Sequence, residues 1–334
     1  MTQTALFAYL DHNVLDLMTK GDPDGVNRLL QRTHLIPVFS DGNLAEIRRS
    51  TGYERKFLDV LEQSGARYLV PVLDERFRHT GRAEIRQVNP LDAYSAYIEN
   101  AESLPDFGFG LTGMLQKFYG GRQDQSFCEI FSGGADELRQ LLKEMEEKLA
   151  DVQGLDDGVR AAAAQVVGSL PDVAAKPDNS FAMQLNPYQG SAVRQFEEAT
   201  GLGPKVLNNI QPPGVARKLW SLVEANMQGV SSLDLDTFFG IKPHPFEADA
   251  DRERTLLEKV NAVYHQLNFL GYYRDSKMSE QRRFVASFSD MTHAGLASFC
   301  HVLICRDEDL VMKAAAAYEY LDVGTRILRY GANK

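Results

Sequence analysis

Five short apolar runs constrain the fold of this chain more than any other feature. ALFAYLD (5–11), LIPVFS (35–40) and ARYLVPVL (66–73) stand near one end, HVLIC (301–305) and TRILRY (325–330) near the other. Each is too short for a buried helix and is rich in branched and aromatic residues, so each reads as a strand. Stretches of helical period lie between them: HNVLDLMTKGD (12–22), residues 24–33, LAEIRRS (44–50), ERKFLDVLEQSG (54–65) with its glycine stop, residues 289–300, and LVMKAAAAYEYLD (310–322). Parallel strands need crossover connections, so this alternation predicts an α/β fold, a parallel sheet sandwiched by helices.

The middle of the chain differs in character. Residues 91–274 hold 16 Lys+Arg and 26 Asp+Glu, and so carry the whole net charge of -10. Residues 1–90 hold 12 of each sign and residues 275–334 hold 8 of each. The contrast predicts that 1–90 and 275–334 form one domain, interrupted by a mostly α-helical insertion over 91–274. Helical period recurs there at 136–152, 215–227 and 250–273, separated by joints such as NIQPPG (209–214).

A hydrophobic content of 44% is that of a globular protein, and no apolar run approaches the roughly 18 residues of a membrane span. No secretory leader is evident in MTQTALFAYLDHN. The three cysteines form no CxxC pair, which argues against a disulfide framework or a cysteine zinc site. A reducing cytoplasm is the expected compartment.

The acids carry the functional argument. Ligands of parallel sheets bind at the carboxyl ends of strands, near the point where strand order reverses. Asp11 closes the first strand and Asp307 follows HVLIC by two residues. Asp290 opens the helix expected before that strand, and Glu46 lies on the helix after the second strand. Converging carboxylates repel and raise one another's pKa, a cost that a divalent cation reverses. Oxygen donors without cysteine or paired histidine suit Mg²⁺ or Mn²⁺. Each acid also has an ordinary explanation. Asp11 could cap a helix, Asp290 could answer a helix dipole, Glu46 could be a solvated helix residue, and Asp307 with its neighbours could form a surface loop.

Taken in order, these segments resemble the PIN-domain nucleases. YLDHNVLDLM is similar to that family's first motif, PVFSDGNLAEIRRS to its second, and SDMTHAGLASFCHVLICRDEDL to its third and fourth. TRIL resembles the closing strand, and the likeness covers about 1–73 and 282–330. It implies metal-dependent hydrolysis of phosphodiester bonds, RNA ahead of DNA. Asp11, Glu46, Asp290 and Asp307 would hold one or two cations, with Asn13 and Ser40 orienting them. Asp309 would share or take the role of Asp307, and His293, one turn after Asp290, would position water or phosphate. Cys305 stands where the family often has Thr or Ser, and Arg306 beside the site would meet phosphate or pair with an acid.

DERFRHTGRAEIRQ (74–87) reads as a basic loop leaving the third strand, with Arg76, Arg78, Arg82 and Arg86 placed for phosphate contact. Arg48 and Arg49 flank Glu46 and would serve likewise. The acidic insertion is expected to cap the site and restrict which substrates enter. The competing expectation is a catalytically inactive PIN-like scaffold whose insertion binds a protein partner; self-association or a regulatory partner fits either, and a membrane neither. GFGLTG (108–113) matches a dinucleotide fingerprint in spelling only, follows no strand, and reads as a glycine loop.

Overall fold

The structure, a computed structural model, describes residues 5–75, 78–103, 109–151, 190–226, 233–242 and 252–331, with the single positions 158, 183 and 185. The first region of the chain forms β1 (Leu6–Leu10), α1 (His12–Thr19), α2 (Val26–Thr33), β2 (Leu35–Ser40), α3 (Asp41–Arg49), α4 (Glu54–Gln63), β3 (Arg67–Leu73) and β4 (His79–Arg86). Helices follow: α5 (Pro90–Ser103), α6 (Phe109–Phe118), α7 (Phe127–Asp151), α8 (Ala192–Thr200), α9 (Pro204–Leu207), α10 (Val215–Asn226), α11 (Leu235–Phe238) and α12 (Leu256–Leu270). The chain closes with α13 (Gln281–Ala297), β5 (Val302–Cys305), α14 (Glu308–Tyr320) and β6 (Arg326–Arg329).

Among the described residues six strands form one sheet, in the order β4-β3-β2-β1-β5-β6. Every pairing is parallel except β3 with β4. The fold is therefore α/β with a mostly parallel sheet flanked by helices. The chain runs outward from β1 through β2 and β3, then returns to the other side of β1 as β5. Strand order reverses between β1 and β5, where the crevice of such sheets lies.

Alternation along the strands decides which side chains face which helices. Ala8, Leu10, Phe39 and Ile304 pack with Val14, Leu15, Leu30, Leu44, Ile47 and Leu58 from α1 to α4. Tyr9, Val38, Leu69, Leu303 and Cys305 face the other way, onto Val260 and Tyr264 of α12, Ala294 and Ala297 of α13, and Ala314 and Tyr318 of α14. A second helical layer covers these: Leu207, Val215, Leu219 and Phe239 pack on Val263 and Leu267 of α12 and on Ala316 and Ala317 of α14. The alanine run 314–317 thus lies between two apolar layers, where small side chains let helices approach closely.

The chain divides into two compact units. One comprises 1–98, 196–276 and 285–334, and holds the sheet; the other comprises 99–195 and 277–284. The region 91–274, read above as one insertion, is thus shared: 91–98 and 196–274 belong with the sheet. In the second unit Met114, Phe127 and Ile130 form a small core with Phe118 beside it. Residues 109–113 are helical within α6, so the expected glycine loop is corrected there. Among the described residues no helix is long and apolar enough to cross a membrane.

Two local expectations are also corrected. Residues 79–86 are not a loop but an antiparallel edge strand, with Ala83 and Ile85 packed inward and Arg82, Glu84 and Arg86 exposed. Asp290 does not open its helix: α13 begins at Gln281, so Asp290 is interior and a dipole at the helix start does not account for it.

Candidate metal centre

The centre starts where β1 ends. Asp11 takes the position before α1 but makes no side-chain capping bond, so its carboxylate is not consumed as a cap. Its backbone N–H donates to the Ile304 carbonyl at 3.0 Å, which joins the carboxyl ends of β1 and β5. Oδ2 of Asp11 is buried and has no hydrogen-bond partner. A bare carboxylate oxygen in a desolvated position is costly unless something cationic reaches it.

Glu46 is delivered from β2. Ser40 ends that strand and starts α3 through a capping box with Asn43. The Asn43 carboxamide accepts from the Ser40 N–H at 2.9 Å and donates to the Leu10 carbonyl at 2.9 Å. One side chain thereby ties the start of α3 to the end of β1, and Glu46 follows one turn later. Its carboxylate meets α13, where Ser289 Oγ donates to Oε1 at 2.8 Å and His293 Nε2 lies 3.1 Å from Oε2. Ser289 and His293 are four residues apart, on one helical face. Arg49 adds a contact to Oε1 at 3.3 Å.

His293 is fully buried and joins three elements. Its Nδ1 lies 2.8 Å from the Tyr9 hydroxyl, which lies 2.6 Å from Ser40 Oγ. A protonated imidazole satisfies every partner: Nε2–H donates to Glu46, Nδ1–H donates to Tyr9, and Tyr9 donates to Ser40. Gly42 makes the approach possible, since a Cβ there would stand 3.2 Å from His293 Cε1.

The electrostatics follow from burial and charge. Burial raises the Asp11 pKa to about 6, with Glu46 adding to the rise and His293 opposing it. Burial also pushes Asp290 well above the ordinary carboxylate range, followed by the charges of Asp11, Asp275, Asp307 and Glu46. For Glu46 burial acts upward, but the charge and hydrogen bond of His293, with His12 and Ser289, bring it down to about 2. His293 is raised against its own burial, chiefly by Glu46. His12 lies 3.6 Å from Glu46; burial lowers its pKa, with the charge of Glu46 opposing, and its Nδ1 makes no hydrogen bond.

One ligating atom each from Asp11, Glu46 and His293 lie within 4.8 Å of one another. Oxygen and nitrogen donors at that spacing fit a cation bound at roughly 2.0–2.6 Å. Of the expected ligands, Asp11 and Glu46 are thus joined by His293, expected only as an accessory. Asp290 lies within electrostatic reach of Asp11 and Glu46, and Asp307 within reach of Asp290. Asp307 also caps α14, accepting from Leu310 N at 3.0 Å. Burial and then Asp307 and Asp275 raise Asp309 to about 6, against the pull of Lys313.

The remaining expected residues are spread more widely. Asn13 helps to lower Asp11, whereas Ser40 serves Tyr9 and Asn43 rather than an acid. Arg306 lies beside Gly331 and Asp24. Arg48 reaches Tyr97, and Arg49 holds Glu46 and Ser289. Arg78 binds Asp74, and Arg86 pairs with Glu84 at 2.5 Å. Register carries the row of Ser40 through Leu69 to Ile85, so Arg86 stands near that row but three strands from Asp11, roughly 14 Å at about 4.8 Å per strand. Arg82 is exposed on the same strand, and Arg76 lies outside the described residues. Tyr9, Asn43 and Ser289 escaped the sequence reading. A tyrosine inside an apolar strand, whose hydroxyl needs a buried partner, and an S-x-x-N pattern at 40–43 were the available signals. Comparison with protein-family models, with curated proteins and with solved structures finds no match to this chain.

Proposed function

We propose that this chain is a PIN-like nuclease that hydrolyses phosphodiester bonds with Mg²⁺ or Mn²⁺, RNA ahead of DNA. The observation that carries the reading is the Asp11–Glu46–His293 group, with Asp290 close enough to feel the charges of Asp11 and Glu46, at the reversal point of a parallel sheet. Asp11, Glu46 and His293 would hold the ion, and Asp290 would supply further negative charge. When bound, such an ion lowers the pKa of a water and neutralises charge on the phosphate.

The chain's own residues have separate tasks. Asp11 offers a bare oxygen. Ser289 and Asn43 set the direction of Glu46, one by hydrogen bond and one by fixing α3. His293 would offer Nε2 to the ion as a neutral imidazole, with Tyr9 at Nδ1 keeping the ring oriented. Arg49, half exposed beside Glu46, would supply a guanidinium for a phosphate oxygen.

The test is incubation of the purified chain with labelled single-stranded RNA, duplex RNA and DNA, with Mn²⁺ or with EDTA. Cleavage with Mn²⁺ that EDTA abolishes, and that Asp11→Asn removes, is the expected result. Cleavage that survives both treatments would place the chemistry elsewhere.

A further inference from the structure

The three ligating atoms that lie within 4.8 Å of one another are not all oxygens, because one belongs to the imidazole of His293. That ring has no exposed surface. Mg²⁺ is a hard ion that prefers oxygen donors and keeps much of its water, whereas imidazole nitrogen suits first-row transition ions. A buried imidazole takes up a coordination position that Mg²⁺ would fill with water or a carboxylate. The identity of the ion therefore depends on whether His293 truly presents a free nitrogen to the acids.

The hydrogen bonds around His293 decide which nitrogen that is. Asn43 donates its amide to the Leu10 carbonyl, so its Oδ1 is left toward Ser40. There it accepts from the Ser40 N–H at 2.9 Å and from the Ser40 hydroxyl at 3.5 Å. The hydroxyl proton of Ser40 is thus engaged, and its oxygen accepts from Tyr9, 2.6 Å away. The Tyr9 proton is engaged in turn, so the Tyr9 oxygen accepts from His293 Nδ1–H at 2.8 Å. All four side chains are buried. Each hydroxyl has one proton to give and the chain ends on an acceptor, so its direction is set. Nε2 is the nitrogen left for the acids, 3.1 Å from Glu46 Oε2. Neighbouring donors around an ion at roughly 2.1 Å stand about 3.0–3.4 Å apart, and this pair has that spacing. Asp11 adds its buried oxygen Oδ2, which no hydrogen bond occupies.

The geometry points to a centre that selects a first-row transition ion such as Mn²⁺ over Mg²⁺, with His293 Nε2 as the selecting ligand. The Asn43–Ser40–Tyr9 chain is the device that holds the imidazole proton on Nδ1. The inference rests on the metal reading above and narrows it, since four carboxylates would accept either ion. Tyr9 acts here as a positioning residue: it touches no ion and works through the ring it orients.

The test reads the ligand directly. The full chain is loaded with Mn²⁺, and pulsed electron paramagnetic resonance looks for modulation of the Mn²⁺ echo by a coordinated imidazole nitrogen. The same Mn²⁺ signal, followed as Mg²⁺ is added, gives the ratio of the two affinities. Nitrogen modulation is expected in the native chain and is expected to vanish in His293→Gln, or in His293→Asp if the glutamine variant does not fold. Mn²⁺ should bind about 100-fold more tightly than Mg²⁺ in the native chain, and only about tenfold more tightly once an oxygen replaces the imidazole. Tyr9→Phe, which leaves Nδ1–H without its acceptor, should lower the same ratio. An unchanged ratio in Tyr9→Phe overturns the part given to the hydrogen-bonded chain. Bound Mn²⁺ without nitrogen modulation, modulation that persists in the His293 variants, or displacement by equal Mg²⁺ overturns the inference and leaves the metal centre standing. No bound Mn²⁺ or Mg²⁺ in the native chain sinks the metal reading itself.

Discussion

His293 and Glu46, 247 residues apart in sequence, meet at 3.1 Å between Nε2 and Oε2. The imidazole has no exposed surface and the carboxylate is 14% exposed, so the pair is largely shielded from water. Removing one member strands the other. His293→Ala is expected to lower the unfolding free energy by about 3 kcal/mol, as for other broken buried pairs. Urea denaturation at neutral pH measures it. An unchanged midpoint would mean that Glu46 finds its own solvation without the imidazole.

Asp11 gives a pH dependence with a definite sign. Its folded pKa, about 6, lies above the ordinary 3.8, so ionisation opposes the folded state. The penalty is absent below the ordinary value, grows as pH rises between the two, and is complete above the folded value, amounting to roughly 2–3 kcal/mol. Asp11→Asn carries no such penalty. In EDTA its melting temperature should exceed that of the native chain by an amount that increases between about pH 4.5 and about pH 7.5. A constant difference across that range would show that Asp11 is not held in its neutral form.

Mn²⁺ competes with protons for the same oxygens. The native chain should therefore gain more thermal stability from Mn²⁺ above about pH 6 than below it, and Asp11→Asn should gain little at either pH. Differential scanning calorimetry with and without the ion tests this. Equal shifts in the native chain and the variant would place the binding site elsewhere.

Gly42 admits a geometric test. A Cβ there would stand 3.2 Å from His293 Cε1 and 3.4 Å from both His293 Nδ1 and Ser40 Oγ. Gly42→Ala should displace the imidazole by a few tenths of an ångström, cost about 1 kcal/mol of stability and weaken Mn²⁺ binding several-fold. Histidine NMR shifts with a metal titration report both effects. An unmoved His293 signal would show that the start of α3 shifts instead.

Asn43→Ala removes the link between Ser40 N and the Leu10 carbonyl, leaving both without that partner. An expected loss of about 2 kcal/mol reflects a lost cap and a lost buried hydrogen bond. Asn43→Asp, which can still accept from Ser40 N but cannot donate to Leu10, should fall between. Equal stability of all three proteins would remove Asn43 from the account of how Glu46 is placed.

The strands that lie deepest were the most legible. LIPVFS coincides with β2 because a continuous apolar run between polar turns has few other uses. β4 reads as a basic loop in sequence because Arg82, Glu84 and Arg86 alternate with only two apolar residues, Ala83 and Ile85, and are exposed, as an edge strand's polar residues are. α13 begins eight residues before the helical period is evident, because QRRFVASF carries no capping signal at its first turn.

Local sequence by itself determined the elements that present Asp11 and Glu46, since a strand end and the first turns of a following helix are set by short-range periodicity and capping. The partners of those acids were decided only in three dimensions. His293 became part of the centre because Tyr9, itself held by Ser40 of β2, and Glu46 reach it from β1 and α3, and Gly42 leaves room for it. Lys313 lies in a run of alanines that reads as an ordinary helix face, and its pairing with Asp275 exists only because α12, α13 and α14 pack together. The physical reason is the same in both cases. Periodicity reports which side of an element is apolar, whereas the charge a buried group can bear depends on groups brought to it from distant parts of the chain.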